Sequence, residues 1–464
     1  MLHPLESIPE KNDHTKHESS IRDSALLIFQ PLDYANYPIE LSSISFGKAS
    51  TLGFDEDSNY GQPHDNNHEP PVFQPRKLAI MAVAVALTMI LLVFGNMTYF
   101  FGASYQQASK YHAFKILMVD YDGGMVGQSM LQAYALLKQP TFPTFETKSA
   151  VDYSRPEDVI KSVQHHHYWA AIYSTPNASS RLHAILQGGT ASQEYNANDA
   201  FTYVWNEARY PSFTASVVLS SIHQLVETAR LTLTTTFPSP LNDTSTLHAY
   251  LNPIGTTSIN ILPASQASKN FINTILTPLS ILPQFFFLMG LNAVSAQTHL
   301  FAHSSLQTIT FIRLSITLLY TACCAVTMAG YIWIFKEDMP IHDKEFALTW
   351  LLLWLAMHIY CLFFDAVLAV APVPAVPAAV LTFIILNVTS TVSPFEVVPG
   401  FYRWAWALPA RNVYLVLIDI WAGGPKPSLV TCLPVLAAWW VVWGGLAVLG
   451  LRKSWKAEAR KRDA

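Results

Sequence analysis

The sequence predicts a multi-pass α-helical membrane protein of six spans, with an α/β or α+β extracytoplasmic domain inserted between the first span and the second. Three observations carry that reading. Hydrophobic residues make up 51% of the 464-residue chain and charged ones only 13%, against about 25% charged in an ordinary soluble chain. Six separate stretches stay apolar for the roughly 20 residues that a helix needs to cross the hydrocarbon core. Lysine and arginine flank the first stretch and follow the last, so both ends read as cytosolic and the number of crossings as even.

The same totals exclude other classes. The net charge is −4 and no long basic stripe occurs, so nucleic acid is not an expected partner. All four cysteines (Cys323, Cys324, Cys361, Cys432) lie in apolar runs without zinc spacing, so neither a disulfide framework nor a metal site is expected. No cofactor motif stands out.

Residues 1–75 mix Pro, Asn, Asp, His and Ser without apolar periodicity and read as a disordered cytosolic tail. Arg76 and Lys77 then open the first span, 76–103, whose apolar run Leu78–Phe101 carries no charge and starts too late to be a cleaved signal. Ala82 and Ala86 on this span permit close helix packing, within one chain or in a homodimer.

Residues 104–270 read as a domain of their own. Phe114–Asp120 is a predicted strand stopped by Gly123-Gly124, and Met125–Lys138 follows with helical spacing. A second strand is expected over Tyr168–Tyr173, a short helix over Ser179–Leu186, helices over Asp199–Arg209 and Thr214–Thr234, and a returning strand over Thr256–Leu262. Asp120 and Asp122 before the glycine pair read as turn chemistry, and His165-His166-His167 as a solvated turn. Two sequons, Asn177-Ala-Ser and Asn242-Asp-Thr, mark Asn177 and Asn242 as glycosylation candidates on an outer face.

The bundle, 271–451, contributes the remaining windows: Phe271–Val294, Leu314–Phe335, Phe346–Val370, Val373–Ser393 and Leu429–Leu451. Val373–Ser393 is the one least certain to cross in full, because Pro374 and Pro377 interrupt its start. Pro278 and Pro283 should kink the second span, a feature that transporters place at substrate sites. Asp365 lies inside the fourth span, where a carboxylate is costly and should face the bundle interior or a wet cavity. Arg313 opens the third span at the same end and can snorkel to the interface. The two are candidates for a transport or gating role, with a structural ion pair or interfacial anchor as the equal alternative.

Between the fifth and sixth spans, 395–414 is rich in aromatics and prolines. Phe401, Tyr402, Arg403, Trp404, Trp406, Pro409 and Asn412 read as an interfacial or re-entrant segment. Residues 452–464 form a basic cytosolic tail. No phosphate loop, nucleophile elbow or zinc-protease motif occurs, so enzymatic chemistry is not expected.

Several short stretches together resemble the fungal nitrosoguanidine-resistance membrane protein family: Val119–Gly124, Ala170–Tyr173, Phe285–Phe287 with Leu291-Asn292, and Pro399–Trp404 with Leu408-Pro409 and Asn412. That family is similar in architecture to the membrane subunits of type-2 ABC exporters, which implies that Phe395–Asn412 is re-entrant. The resemblance also implies a plasma-membrane protein of the export or drug-resistance type. It would move or exclude a hydrophobic or amphiphilic small molecule or lipid, with an ATPase or other protein partner in trans. The alternative is a non-transporting scaffold or regulator of membrane lipid state whose outer domain binds a partner.

Overall fold

The computed structural model describes residues 75–187, 196–236, 244–264, 271–423 and 426–462; the expected N-terminal tail and Asn242 lie outside them. All belong to one compact unit, Gln74–Ala464. It consists of a helical bundle with a five-stranded sheet domain seated on one end.

Helix α1 (Pro75–Ala103) leads into the sheet domain through a short 3-10 helix, Gln107–Ala113. The domain then runs β1 (Lys115–Asp120), α2 (Met125–Leu137), β2 (Thr144–Lys148), α3 (Pro156–Gln164), β3 (Ala170–Ser174), α4 (Ala178–Leu186), β4 (Phe201–Trp205), α5 (Ser220–Thr236), α6 (Thr244–Leu251) and β5 (Thr256–Asn260). The strand order is β2-β1-β3-β4-β5. Pairing is parallel throughout except between β3 and β4. Alternate residues of β1 feed two cores. Ile116 and Met118 pack with Val126, Met130, Leu182 and Ile222 of α2, α4 and α5. Leu117 and Val119 pack with Val159 and Val163 of α3 on the other face.

Several elements differ from the sequence expectation. Phe201–Trp205 is a strand, not part of a helix: it is buried on both faces between β3 and β5, where an aromatic and β-branched run fits a pleated sheet. β2 and α3 were not expected at all, although Pro156 at the helix start with Glu157 and Asp158 behind it is an N-terminal signature.

The β1–α2 turn is built on two carboxylates. Asp120 Oδ1 accepts from the backbone of Asp122 and Gly123 and from Ser174 Oγ. Asp122 accepts from the amides of Gly124, Gly127 and Ser179 and from Ser179 Oγ, tying α2 to α4. Gly123 takes φ +63°, and a Cβ on Gly127 would lie 2.0 Å from Asp120 Oδ1.

The bundle contains α7 (Phe271–Gln297), α8 (Leu306–Ile334), α9 (Asp343–Val370), α10 (Val376–Val392), the shorter α11 (Pro409–Trp421) and α12 (Leu429–Arg462). With α1, six helical segments are long and apolar enough to cross a membrane. They include Val373–Val392, the fifth window. α9 is the central one, burying Met357, Tyr360, Cys361 and Phe364. α1 stands at the edge, with only Asn96, Tyr99 and Ala103 buried; Asn96 Nδ2 donates to Thr382 Oγ1 of α10. α12 outruns its apolar window. It stays helical through Arg452, Lys453, Lys456 and Arg460, where a tail was expected.

Candidate functional site

The bundle has an end that carries the sheet domain and a distal end, where α8 begins and α9 finishes. Three features with chemical character lie between them: a buried ion pair, an apolar cleft, and a helical hairpin locked to the domain.

The structure brings Arg313 and Asp365 together. Arg313 Nη2 lies 2.7 Å from Asp365 Oδ1, with the side chains 3% and 14% exposed. Arg313 does not snorkel. It sits two turns into α8, and Asn292 Oδ1 (2.9 Å) and Ser295 Oγ (3.3 Å) of α7 accept its other guanidinium bonds. A planar guanidinium with several fixed donors suits such a three-helix junction better than an ammonium would. Asn292 was legible only as a resemblance motif, and Ser295 not at all.

The pair borders a cavity of ≈ 300 Å³ between α8, α9 and α12, which His358 also lines. His358 was not singled out from the sequence. The signal was there, since it is a polar residue in an apolar window two turns before Asp365 and on the same helix face.

A larger apolar cleft, ≈ 720 Å³, opens between α7 and α8 toward the domain end; Phe271, Ile275, Pro283, Tyr320, Tyr331 and Phe335 line it. Cys323 and Cys324 face it as free thiols. Both prolines are accommodated within one continuous helical segment. The turn before Pro278 is π-helical (Phe271–Ile275), which gives its ring room against the preceding carbonyl. Pro283 cannot donate to the turn above, and its own carbonyl accepts from Tyr320 Oη at 3.0 Å. Phe287 stacks on the same Tyr320 ring, centroids 3.7 Å apart.

The segment after α10 turns back inside the bundle. Gly400–Ala407 is a 3-10 helix and α11 follows, with Pro409 in its first turn. Ala407 O accepts from Trp439 Nε1, and Trp439 is ten residues into α12, about 15 Å along its axis. The tip of the hairpin therefore lies beside α12 about 15 Å from that helix's start. Asn387 of α10 accepts from the amide of Ala410, and Asn412 Nδ2 donates back to Trp406 O and Leu408 O, so the turn has its backbone groups satisfied. Tyr402 and Trp404 pack on Tyr99 of α1. Gly102 leaves room for the Tyr402 ring, whose Oη would lie 2.2 Å from an added Cβ. Arg403 Nε donates to Val398 O, while Phe401 and Trp406 point outward, 80% and 54% exposed.

Residues that the sequence did not mark fasten the domain to this hairpin. The amide of Tyr210 donates to Tyr414 Oη, which donates on to Ala208 O. Arg209 lies over the Trp169 ring at 4.1 Å and 3.9 Å from Glu396 Oε1, which also accepts from Trp169 Nε1. His166 is not a solvated turn residue. At φ 59° it turns inward, its Nε2 3.4 Å from the fully buried Asp419 Oδ1. Burial, with positive charge from Arg209, His165 and His167, pushes its imidazole down to about 2, so it stands neutral there.

Asn177 is exposed in the left-handed region before α4. His299 and His303 have ring centroids 6.3 Å apart, and no group of three His, Cys, Asp or Glu suited to a metal occurs among the described residues.

Comparison with curated proteins and with solved structures gives no match. A family model described as a protein of unknown function, DUF3533, matches residues 85–444. That stretch takes in part of α1, the whole sheet domain, the hairpin and the bundle into α12. With well over half of its length matched, the chain belongs to the DUF3533 family.

Proposed function

We propose that this chain moves or excludes a hydrophobic or amphiphilic small molecule or lipid at the plasma membrane. The sheet domain lies on the extracytoplasmic face and both termini lie in the cytosol, with an ATPase in trans where energy is needed. The observation that carries the reading is the apolar cleft between α7 and α8. Its ≈ 720 Å³ falls within the range of small-molecule sites, and it is framed by a helix that Pro283 deprives of one backbone bond. The orientation rests on Arg76, Lys77 and the basic face of α12 beyond Leu451.

The test is the full chain reconstituted into vesicles. One set carries a fluorescent phosphatidylcholine and another rhodamine 6G, each with and without ATP. Movement of either probe that falls several-fold in Pro283→Ala and Asp365→Asn at equal protein content supports the reading. Folded protein that moves neither probe overturns it. Loss of a co-purifying protein when residues 114–262 are replaced would then favour the scaffold alternative.

A further inference from the structure

The smaller cavity has a property that the transport reading does not use. His358 is 2% exposed, and neither of its ring nitrogens has a hydrogen-bond partner. Arg313 Nε, on the same cavity, is likewise unpartnered. Burying an unpaired polar atom is costly, and an ionisable group in a span ordinarily faces protein or a water-filled space. Both residues line the cavity. It follows α12 from Trp440 to Leu451, eleven residues or about 16 Å, and so extends from mid-bundle to the distal end. Gly444 and Gly445 border open space: an added Cβ at Gly444 would come no closer than 3.7 Å to Leu362, and at Gly445 it would meet nothing within 4 Å.

We propose that this cavity is a proton-binding site in contact with water at the distal face, with His358 as the group that takes up the proton. Water entering at Leu451 passes Arg313 and Asp365 and ends at the imidazole, about 10 Å further along α9. The unprotonated ring nitrogen accepts a proton delivered as hydronium from the distal solution, leaving neutral water behind, and the ring becomes a cation. The charged and titratable groups facing it are few. α8 brings Arg313, and α9 brings Cys361 and Asp365. α12 brings none along the cavity, and α7 adds only the neutral Asn292 and Ser295 behind the guanidinium. Because Arg313 and Asp365 neutralise one another, the proton on His358 changes the net charge of the site from zero to plus one. A charge that appears and disappears inside a span is what couples a conformational change to a proton gradient.

The test needs no transported solute, so its failure is separate from failure of the transport reading. Full chain labelled with [15N]histidine in lipid vesicles is titrated by solid-state NMR, with His358 signals identified by their loss in His358→Gln. The expected result is conversion from the neutral to the imidazolium pattern between about pH 8 and about pH 4. Signals that stay neutral throughout overturn the proposal. Gly444→Cys, in a chain whose native cysteines are replaced by alanine, tests the water independently, since only a hydrated thiol ionises and reacts. A water-soluble thiol reagent applied from the distal side should label it at least about 10-fold faster than Leu449→Cys on the outer surface. Labelling by a membrane-permeant reagent alone would mean that lipid fills the cavity, and would sink the idea.

Discussion

Replacing Asp365 by asparagine keeps the size of the side chain and one carbonyl oxygen but removes the charge that faces Arg313 at 2.7 Å. The guanidinium is then a buried cation with two neutral acceptors, Asn292 Oδ1 and Ser295 Oγ. Removing one partner of a buried pair costs about 3–5 kcal/mol. The two remaining bonds place this variant at the lower end, near 3 kcal/mol. Arg313→Met leaves the carboxylate uncompensated and should cost at least as much. The double variant, Asp365→Asn with Arg313→Met, buries no charge at all, so its cost should fall short of the sum of the two single costs by about 2 kcal/mol. The assay is a double-mutant cycle on the full chain in detergent, followed by denaturant unfolding. Single effects that add to within about 0.5 kcal/mol would refute the view that this pair joins α8 to α9.

Three further outcomes are expected. Gly127→Ala would drive a Cβ into Asp120 and should cost about 1–3 kcal/mol through overpacking; limited proteolysis should then cut within 115–260 first, and an unchanged cleavage pattern would contradict the turn geometry. His166, held well below its unfolded value by burial, contributes stability that is fully present above about pH 6.5 and is lost below it, by up to about 1.4 kcal/mol per pH unit. Unfolding of the wild type and His166→Gln at pH 5 and pH 7 checks this; a wild type no more acid-sensitive than the variant would show that Asp419 captures the proton instead. Asn177→Gln should abolish an endoglycosidase-sensitive mobility shift in chain expressed in a eukaryotic cell, whereas a wild type without that shift counts against an outward-facing sheet domain.

The spans were legible because hydrophobic length is a local property. Each apolar window maps onto one long helix, although some ends move by two turns or more; Leu314–Phe335 became Leu306–Ile334 because Ser305 caps the helix further upstream, accepting from the amide of Thr308. The strands were half legible. Lys115–Asp120 is punctuated by its own Gly-Gly turn, but Phe201–Trp205 carries no such mark, and its identity depends on pairing with β3 and β5. Asp365 stands out as a charge in an apolar run, whereas a histidine such as His358 in a run of that kind is also compatible with an ordinary core.

From the sequence alone come the six apolar helices, the inserted domain, the turn built on Asp120 and Asp122, and the intramembrane charge at Asp365. Tertiary structure alone decided that Arg313 turns inward to meet that charge, that Arg209 and Tyr414 pin the sheet domain to the hairpin, and that Pro283 borders a cleft. Hydrophobic periodicity reports which surface must leave water. It carries no information about which of several buried polar groups, tens or hundreds of residues apart, will find one another once the helices pack.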